Sequence, residues 1–301
     1  MKELLILSGK GGTGKTTITS SFAYLAKNKV LVDCDVDAAD LHIILSPQKS
    51  QKHDFVSGVK AVVDPNKCTA CGTCYELCRY DAINISDATA VVDDFSCEGC
   101  GVCAYFCPEN AIALEPNHCG YWFVSDTRFG TLIHAELKPG EENSGKLVSL
   151  VKQKAKQRAE NEGVDLLLVD GPPGIGCPVI SSFSGADLVI TVTEPTKSGL
   201  HDLKRIIELS NHFKVPTYVI VNKWDLNKDM SDKIHEFCIK AKIQLLGIIP
   251  FDKEIINALV TGKTVFEEFK DCKAAQSIAN IWQQIKKTLE EVKSEPEQRS
   301  R

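Results

Sequence analysis

A short apolar run, Leu4 to Leu7, opens directly into Gly9-Lys10-Gly11-Gly12-Thr13-Gly14-Lys15-Thr16-Thr17, and no other segment of the 301-residue chain constrains its fold so tightly. An apolar run of that length is a strand buried in a parallel sheet. The segment after it satisfies G-x4-G-K-[ST] in the strand, loop, helix setting that the pattern requires. Its glycines let the backbone curl so that amides point at phosphate oxygens, where the helix dipole also favours negative charge. Gly11, Gly12, Thr13, Gly14, Lys15, Thr16 and Thr17 are therefore the expected phosphate-binding set. Within it, Lys15 is placed to neutralise the β and γ phosphates and Thr16 to ligate Mg2+.

Two further apolar runs end in acids, Val30-Leu-Val-Asp33-Cys-Asp35-Val-Asp37 and Leu166-Leu-Leu-Val-Asp170-Gly-Pro-Pro-Gly174. Strand ends of this kind are where an open α/β sheet binds ligands, and Asp170 fits a role in holding Mg2+. Later strands are expected at Asp187–Thr193, Thr217–Val221 and Leu245–Ile249, alternating with helices. The alternation predicts a doubly wound, mostly parallel α/β sheet.

Eight of the 13 cysteines fall in two runs, Cys68-x2-Cys71-x2-Cys74-x3-Cys78 and Cys97-x2-Cys100-x2-Cys103-x3-Cys107-Pro108. This is the spacing of two-cluster bacterial ferredoxins, in which the fourth cysteine of each run serves the other cluster. The expected sets are Cys68, Cys71, Cys74 and Cys107 for one 4Fe–4S cluster, and Cys78, Cys97, Cys100 and Cys103 for the other. Similar flanks, Asp81-Ala82-Ile83 and Asn110-Ala111-Ile112, suggest a duplicated half-ferredoxin, an inserted α+β element. Structural zinc fits less well, because zinc sites usually draw their four ligands from separated pairs.

Composition narrows the partners. A formal net charge of −5 argues against a nucleic-acid partner, and no apolar run reaches the length of a membrane span. With a strand almost at Met1 and many cysteines outside any secretory context, a reducing, cytoplasmic location is expected.

Lys10 in the phosphate loop, Asp33-x-Asp35 and Asp170-Gly-Pro-Pro-Gly174 together resemble the MinD/Mrp superfamily of ATPases with a deviant phosphate loop, which is related to the nitrogenase iron protein. The resemblance is closest to members carrying an inserted ferredoxin domain, and it covers nearly the whole chain. It implies a homodimer enclosing two ATP molecules, with Lys10 reaching the phosphates of the opposite subunit and Asp35 orienting the attacking water. Asp33 and Asp170 would hold the hydration shell of Mg2+. Asn222-Lys223-Trp224-Asp225 matches the N-K-x-D signature that reads guanine, whereas the family generally uses ATP. By that analogy ATP is expected, with Asn222 and the Pro250-Phe251-Asp252 segment on the adenine side.

The implied organisation is a first part of the ATPase domain at 1–46, an inserted two-cluster ferredoxin domain at 47–117, a second ATPase part at 118–293 and a flexible tail at 294–301. Ser46 to Lys52 reads as an exit linker and Pro116-Asn117 as the point of return. Cys177, seven residues after Asp170, has the spacing of a cluster ligand in the nitrogenase iron protein, and Cys119 is the possible second. The favoured alternative makes Cys119 a buried apolar residue and Cys177 a small residue in a tight turn. Ala274 to Val292 carries one apolar helical face and reads as a packing helix.

Three functions follow. The first is an ATP-hydrolysing iron–sulfur protein that couples nucleotide state to electron transfer or metallocluster maturation for an unidentified client. The second is an Mrp-type scaffold or carrier for cluster assembly, weakened because no Cys-x2-Cys follows Cys107. The third is MinD-like regulation without electron transfer.

Overall fold

The computed structural model describes residues 1–291, so the expected tail at 294–301 and the end of the preceding segment lie outside the described residues. Two compact units are present. The first comprises Met1–Lys52, Trp122–Glu136 and the chain from Ser144; the second comprises His53–Tyr121 and Leu137–Asn143.

The first unit opens with β1 (Lys2–Ser8), α1 (Lys15–Leu25), β2 (Lys29–Asp33) and α2 (Leu41–Leu45), and β3 (Lys49–Val63) then leads into the second. Within the second unit lie α3 (Thr73–Leu77), β4 (Ile83–Ser86), β5 (Thr89–Val92) and α4 (Val102–Tyr105). The chain returns along β6 (Ile112–Thr127) and continues as β7 (Gly130–Leu137), α5 (Ser144–Glu162), β8 (Leu166–Pro173), α6 (Cys177–Phe183), β9 (Leu188–Thr193) and α7 (Lys197–Phe213). It closes with β10 (Thr217–Asn222), α8 (Lys228–Ala241), β11 (Leu245–Ile249), α9 (Lys253–Val260), α10 (Val265–Glu268) and α11 (Lys273–Glu291).

The main sheet has the order β11-β10-β9-β1-β8-β2-β7-β6-β3. Its pairs from β11 through β7 are parallel. Strands β1, β8, β9 and β10 are near-continuous apolar runs because helices cover both faces, so no side can alternate toward water. The apolar face of α11 completes this core: Ile278, Ile281, Trp282 and Ile285 are buried, and Trp282 lies 5.2 Å from Phe22 between ring centroids. It is a packing helix over its described length. Among the described residues, no helix is long and apolar enough to cross a membrane.

The expected boundaries of the inserted segment need correction. Ser46 to Lys52 is no linker, since β3 begins at Lys49, Gln48 N–H donates to Asp126 O at 2.9 Å, and the Ser50 and Ser125 hydroxyls bond at 2.7 Å. Pro116-Asn117 marks no return either, because both lie within β6 and the unit changes only at Tyr121/Trp122. A strand tolerates proline wherever its ladder does not need that N–H. Leu137–Asn143 belongs to the second unit rather than the first, for Glu141 pairs with Lys60 at 3.1 Å and accepts Asn117 Nδ2 at 2.7 Å.

In the first unit, His134 is buried on β7, and burial with the adjacent His42 pushes its imidazole down from 6.5 to about 4. The folded pKa lies below the unfolded one, so the unfolded chain takes up a proton first as pH falls. Stability is thus expected to drop by about 1.4 kcal/mol per pH unit between pH 6.5 and about 4, about 3 kcal/mol in all. Urea unfolding at pH 7 and pH 5 should show a smaller pH difference for His134→Gln than for the wild type. An identical difference would show that His134 does not carry it.

Candidate functional site

The phosphate loop curls between β1 and α1 with Gly12 at φ +79° and Gly14 at φ +90°. Glycine is needed at position 14 on two counts: the left-handed backbone, and an Asn222 Nδ2 that would stand 2.4 Å from any Cβ. Asn222 Nδ2 donates to Thr13 O at 2.8 Å and Lys223 Nζ donates to Gly12 O at 2.9 Å, so the end of β10 pins the loop. Thr13 Oγ1 is buried and has no hydrogen-bond partner among the described residues. That is a donor left waiting in a loop built for oxyanions.

Beside the loop, the β2 and β8 ends place Asp33 and Asp170 in register. Asp170 accepts from Thr16 Oγ1 and Thr19 Oγ1, both at 2.7 Å, and pairs with Lys15 Nζ at 2.9 Å. Burial works against the Lys15 charge, but Asp170, Asp33 and Asp35 outweigh it and hold its pKa above the ordinary lysine value. Asp33 is raised by burial and by the nearby Asp170; its carboxylate accepts Asp35 N–H at 3.0 Å and Leu41 N–H at 3.1 Å. Asp35 lines the cavity and is lifted to about 6, chiefly by burial. Hydroxyl and carboxylate oxygens are the hard donors that Mg2+ prefers, and Thr16, Asp33 and Asp170 supply them side by side.

The phosphate loop, Lys15, Thr16 and Asp35 line one cavity of about 630 Å³ with Thr17, Pro250 and Asp252, while Asp33 and Asp170 lie buried behind Lys15 and Thr16. A volume of that order suits a mononucleotide-sized ligand. Its far wall is fixed by two aspartates. Asp252 caps α9 by accepting Glu254 N–H at 3.1 Å, and Asp225 Oδ1 accepts Phe251 N–H at 2.7 Å. One oxygen of the Asp225 carboxylate is thus engaged by the Pro250-Phe251 loop, and Asn222, expected on the adenine side, spends its Nδ2 on the phosphate loop.

Lys10 is held within its own chain: Nζ lies 2.6 Å from Glu194 Oε1 and 3.1 Å from Ser198 Oγ. Glu194 also meets Lys223 at 3.5 Å, and although burial opposes it, the two lysines keep its carboxyl below the usual glutamate value. Sequence reasoning missed Glu194 and Thr19. Both had signals, an acid just past a buried strand and a hydroxyl one helical turn after Lys15.

In the second unit, Cys68, Cys71, Cys74 and Cys107 line a single small cavity. Cys97 and Cys100 are close enough to Cys103 to interact with it electrostatically, and Cys78 packs on the same apolar cluster as Cys97 and Cys103. Two bonds recur in both halves. Ala82 N–H donates to Cys78 Sγ at 3.4 Å and Ala111 N–H to Cys107 Sγ at 3.3 Å, while Asp93 N–H to Ala82 O and Asp64 N–H to Ala111 O are both 2.7 Å. Amides aimed at sulfur favour thiolate, as at Cys68, whose pKa the Ala90 amide lowers. Among the described residues, no three His, Cys, Asp or Glu side chains are spaced to hold a single metal ion. Cys119 is buried and donates to Ser57 O at 3.1 Å; Cys177 is exposed at the start of α6.

Residues 4–265 match the CobQ/CobB/MinD/ParA nucleotide binding domain. The chain belongs to that family. It is a nucleotide-binding, MinD/ParA-like P-loop ATPase of α/β fold. Protein MJ0578 of Methanocaldococcus jannaschii is 32% identical over 95% of this chain and 97% of its own length. The septum site-determining protein MinD of Bacillus subtilis is 27% identical over 94% of this chain and 88% of its own. The MinD–Mg-ADP structure from Pyrococcus horikoshii aligns with a TM-score of 0.57, at 18% identity over 97% of this chain and 98% of that one, a likeness of fold.

Proposed function

We propose that this protein is an ATP-driven switch whose cysteine-rich unit carries two 4Fe–4S clusters, and that nucleotide state gates electron transfer or metallocluster maturation in a client protein. The reading rests above all on one observation: Cys68, Cys71, Cys74 and Cys107, distant in sequence and expected to share one cluster, line one cavity. The repeated amide-to-sulfur bonds support the same use. Thiolates gripping a four-iron cube stand farther apart than the ligands of a single ion, which suits cysteines facing a common space. The clusters would supply one-electron redox capacity when bound.

ATP rather than GTP is the proposed nucleotide by analogy with the family, and one oxygen of the Asp225 carboxylate already braces Phe251. Lys15 and the loop amides would hold the phosphates, Thr16, Asp33 and Asp170 would hold Mg2+, and Asp35 would orient water. For Lys15 to reach the phosphates and Asp170 to serve Mg2+, their 2.9 Å ion pair has to open. Lys10 likewise has to leave Glu194 and Ser198 to reach a second copy across a homodimer. Glu194→Ala is expected to free Lys10 and shift the ATP-dependent monomer–dimer balance toward dimer by about 3- to 10-fold. Sedimentation with a nonhydrolysable ATP analogue measures this; no shift would mean that the contact does not restrain dimerisation.

Anaerobic purification should give about eight iron and eight sulfide per chain, with about half lost in Cys107→Ala. Zinc in their place would end the redox reading. The second reading, MinD-like regulation without electron transfer, draws its support from the comparisons, because the Bacillus subtilis relative is a septum site-determining protein. Unaltered function after replacement of the cluster cysteines would favour it.

A further inference from the structure

The first unit contains a chain of contacts that runs from the nucleotide site toward strands β3, β6 and β7. It begins at Asp33, whose carboxylate accepts Leu41 N–H at 3.1 Å at the start of α2. The next residue, His42, stacks on His134 with ring centroids 5.2 Å apart and planes inclined by 7°. His134 in turn stacks on Phe123 at 4.8 Å and 15°. His134 Nε2 bonds Ser125 Oγ at 2.9 Å, and Ser125 Oγ bonds Ser50 Oγ at 2.7 Å. The far end of α2 is held as well: Arg128, in the turn between β6 and β7, donates from Nη2 to Ile44 O at 2.8 Å.

Ser50, Ser125 and His134 lie on β3, β6 and β7, each a few residues from the point where its strand passes between the two units, at Lys52, Trp122 and Glu136. Helix α2 therefore has one end on the Asp33 carboxylate and the other on the β6–β7 turn, with a ring stack between them. Ring stacks and packed helices shift as units rather than deforming continuously. Any rearrangement at Asp33 that displaces Leu41 must then move His42 against His134 or break the stack.

We propose that α2 and the His42–His134 stack form a mechanical link carrying the state of the nucleotide cavity to the three strands that lead into the cysteine-bearing unit. The link rests on the nucleotide-gated reading above, but it involves only residues of the first unit. His42 and His134 are positioning residues, acting through Leu41 and the strands rather than on the nucleotide.

Amide hydrogen exchange of the full chain, with and without a nonhydrolysable ATP analogue and Mg2+, tests this. In the wild type, residues 33–45, 49–63 and 112–137 should all change protection on nucleotide addition. In His42→Ala, the response of 49–63 and 112–137 should fall at least about threefold, while nucleotide affinity changes less than about threefold. His42→Phe, which keeps a ring to stack, should restore the response. Ser125→Ala, away from the nucleotide, provides a second cut and should reduce the response at 49–63 alone. A full strand response in His42→Ala, failure of His42→Phe to rescue, or wild-type strands silent while 33–45 responds would each overturn the link. If the strands respond but the cluster spectrum does not, the redox reading fails and the link stands.

Discussion

Lys15→Ala is expected to weaken ATP binding by about 100-fold or more, the cost of losing one buried, charge-assisted contact to phosphate. A second effect is specific to this site. Lys15 is only 6% exposed and lies against two buried carboxylates, 2.9 Å from that of Asp170. Removing it strands Asp33 and Asp170 together without a counter-charge, a situation that typically costs about 3–5 kcal/mol. Asp33 is already raised, first by burial and next by Asp170, and loss of Lys15 raises it further. A carboxyl with a raised folded pKa holds its proton longer in the folded state, so the variant's deficit should grow as pH rises above about 4. Calorimetric titration with ATP and urea unfolding at pH 5 and pH 8 check both effects. Unchanged affinity would remove Lys15 from the phosphate site, and a deficit independent of pH would remove the carboxylate argument.

Gly99→Ala should be the most damaging single-methyl substitution in the cysteine-bearing unit. Gly99 sits at φ +63°, and a Cβ there would stand 1.9 Å from Val59 O and 2.9 Å from Val59 C, both backbone atoms of β3. No side chain can swing aside to relieve that overlap, so about 3–5 kcal/mol of local stability should be lost. The repeat supplies an internal control. Ala70 occupies the matching place in the first cysteine run with φ +53°, so a methyl group is accommodated there. Ala70→Gly should accordingly change stability by less than about 1 kcal/mol. Thermal unfolding and iron content of both variants decide the matter; a Gly99→Ala protein with wild-type stability and iron would contradict the close approach to Val59.

The buried strands were legible because each is an apolar run between turn signals, and Leu245–Ile249 has the same bounds in the sequence reading and in the structure. The phosphate loop was legible because one strand-to-helix junction fixes its spacing, and the paired carboxylates because each stands at the end of an apolar strand. The division between units was not. It falls inside the continuous strands β3 and β6, where composition changes little and Pro116 misleads. Nor could the sequence show that Lys10 rests on Glu194 or that His42 meets His134, because both contacts join elements far apart in the chain. Asp225 is instructive in another way. The N-K-x-D string is present, yet its acid serves the Phe251 N–H, a bond that depends on where the loop after β11 lies.

Under the proposed function, nucleotide state reaches the cysteine-bearing unit. The most direct test of this is the low-temperature EPR spectrum of the anaerobically purified, reduced protein, recorded alone, with Mg-ADP and with a nonhydrolysable Mg-ATP analogue. Cluster signals that change with the ATP analogue, and that lose this change in the Lys15→Ala protein, are the predicted result. Cluster signals identical in all three states, in a protein shown to bind the analogue, would contradict the claim.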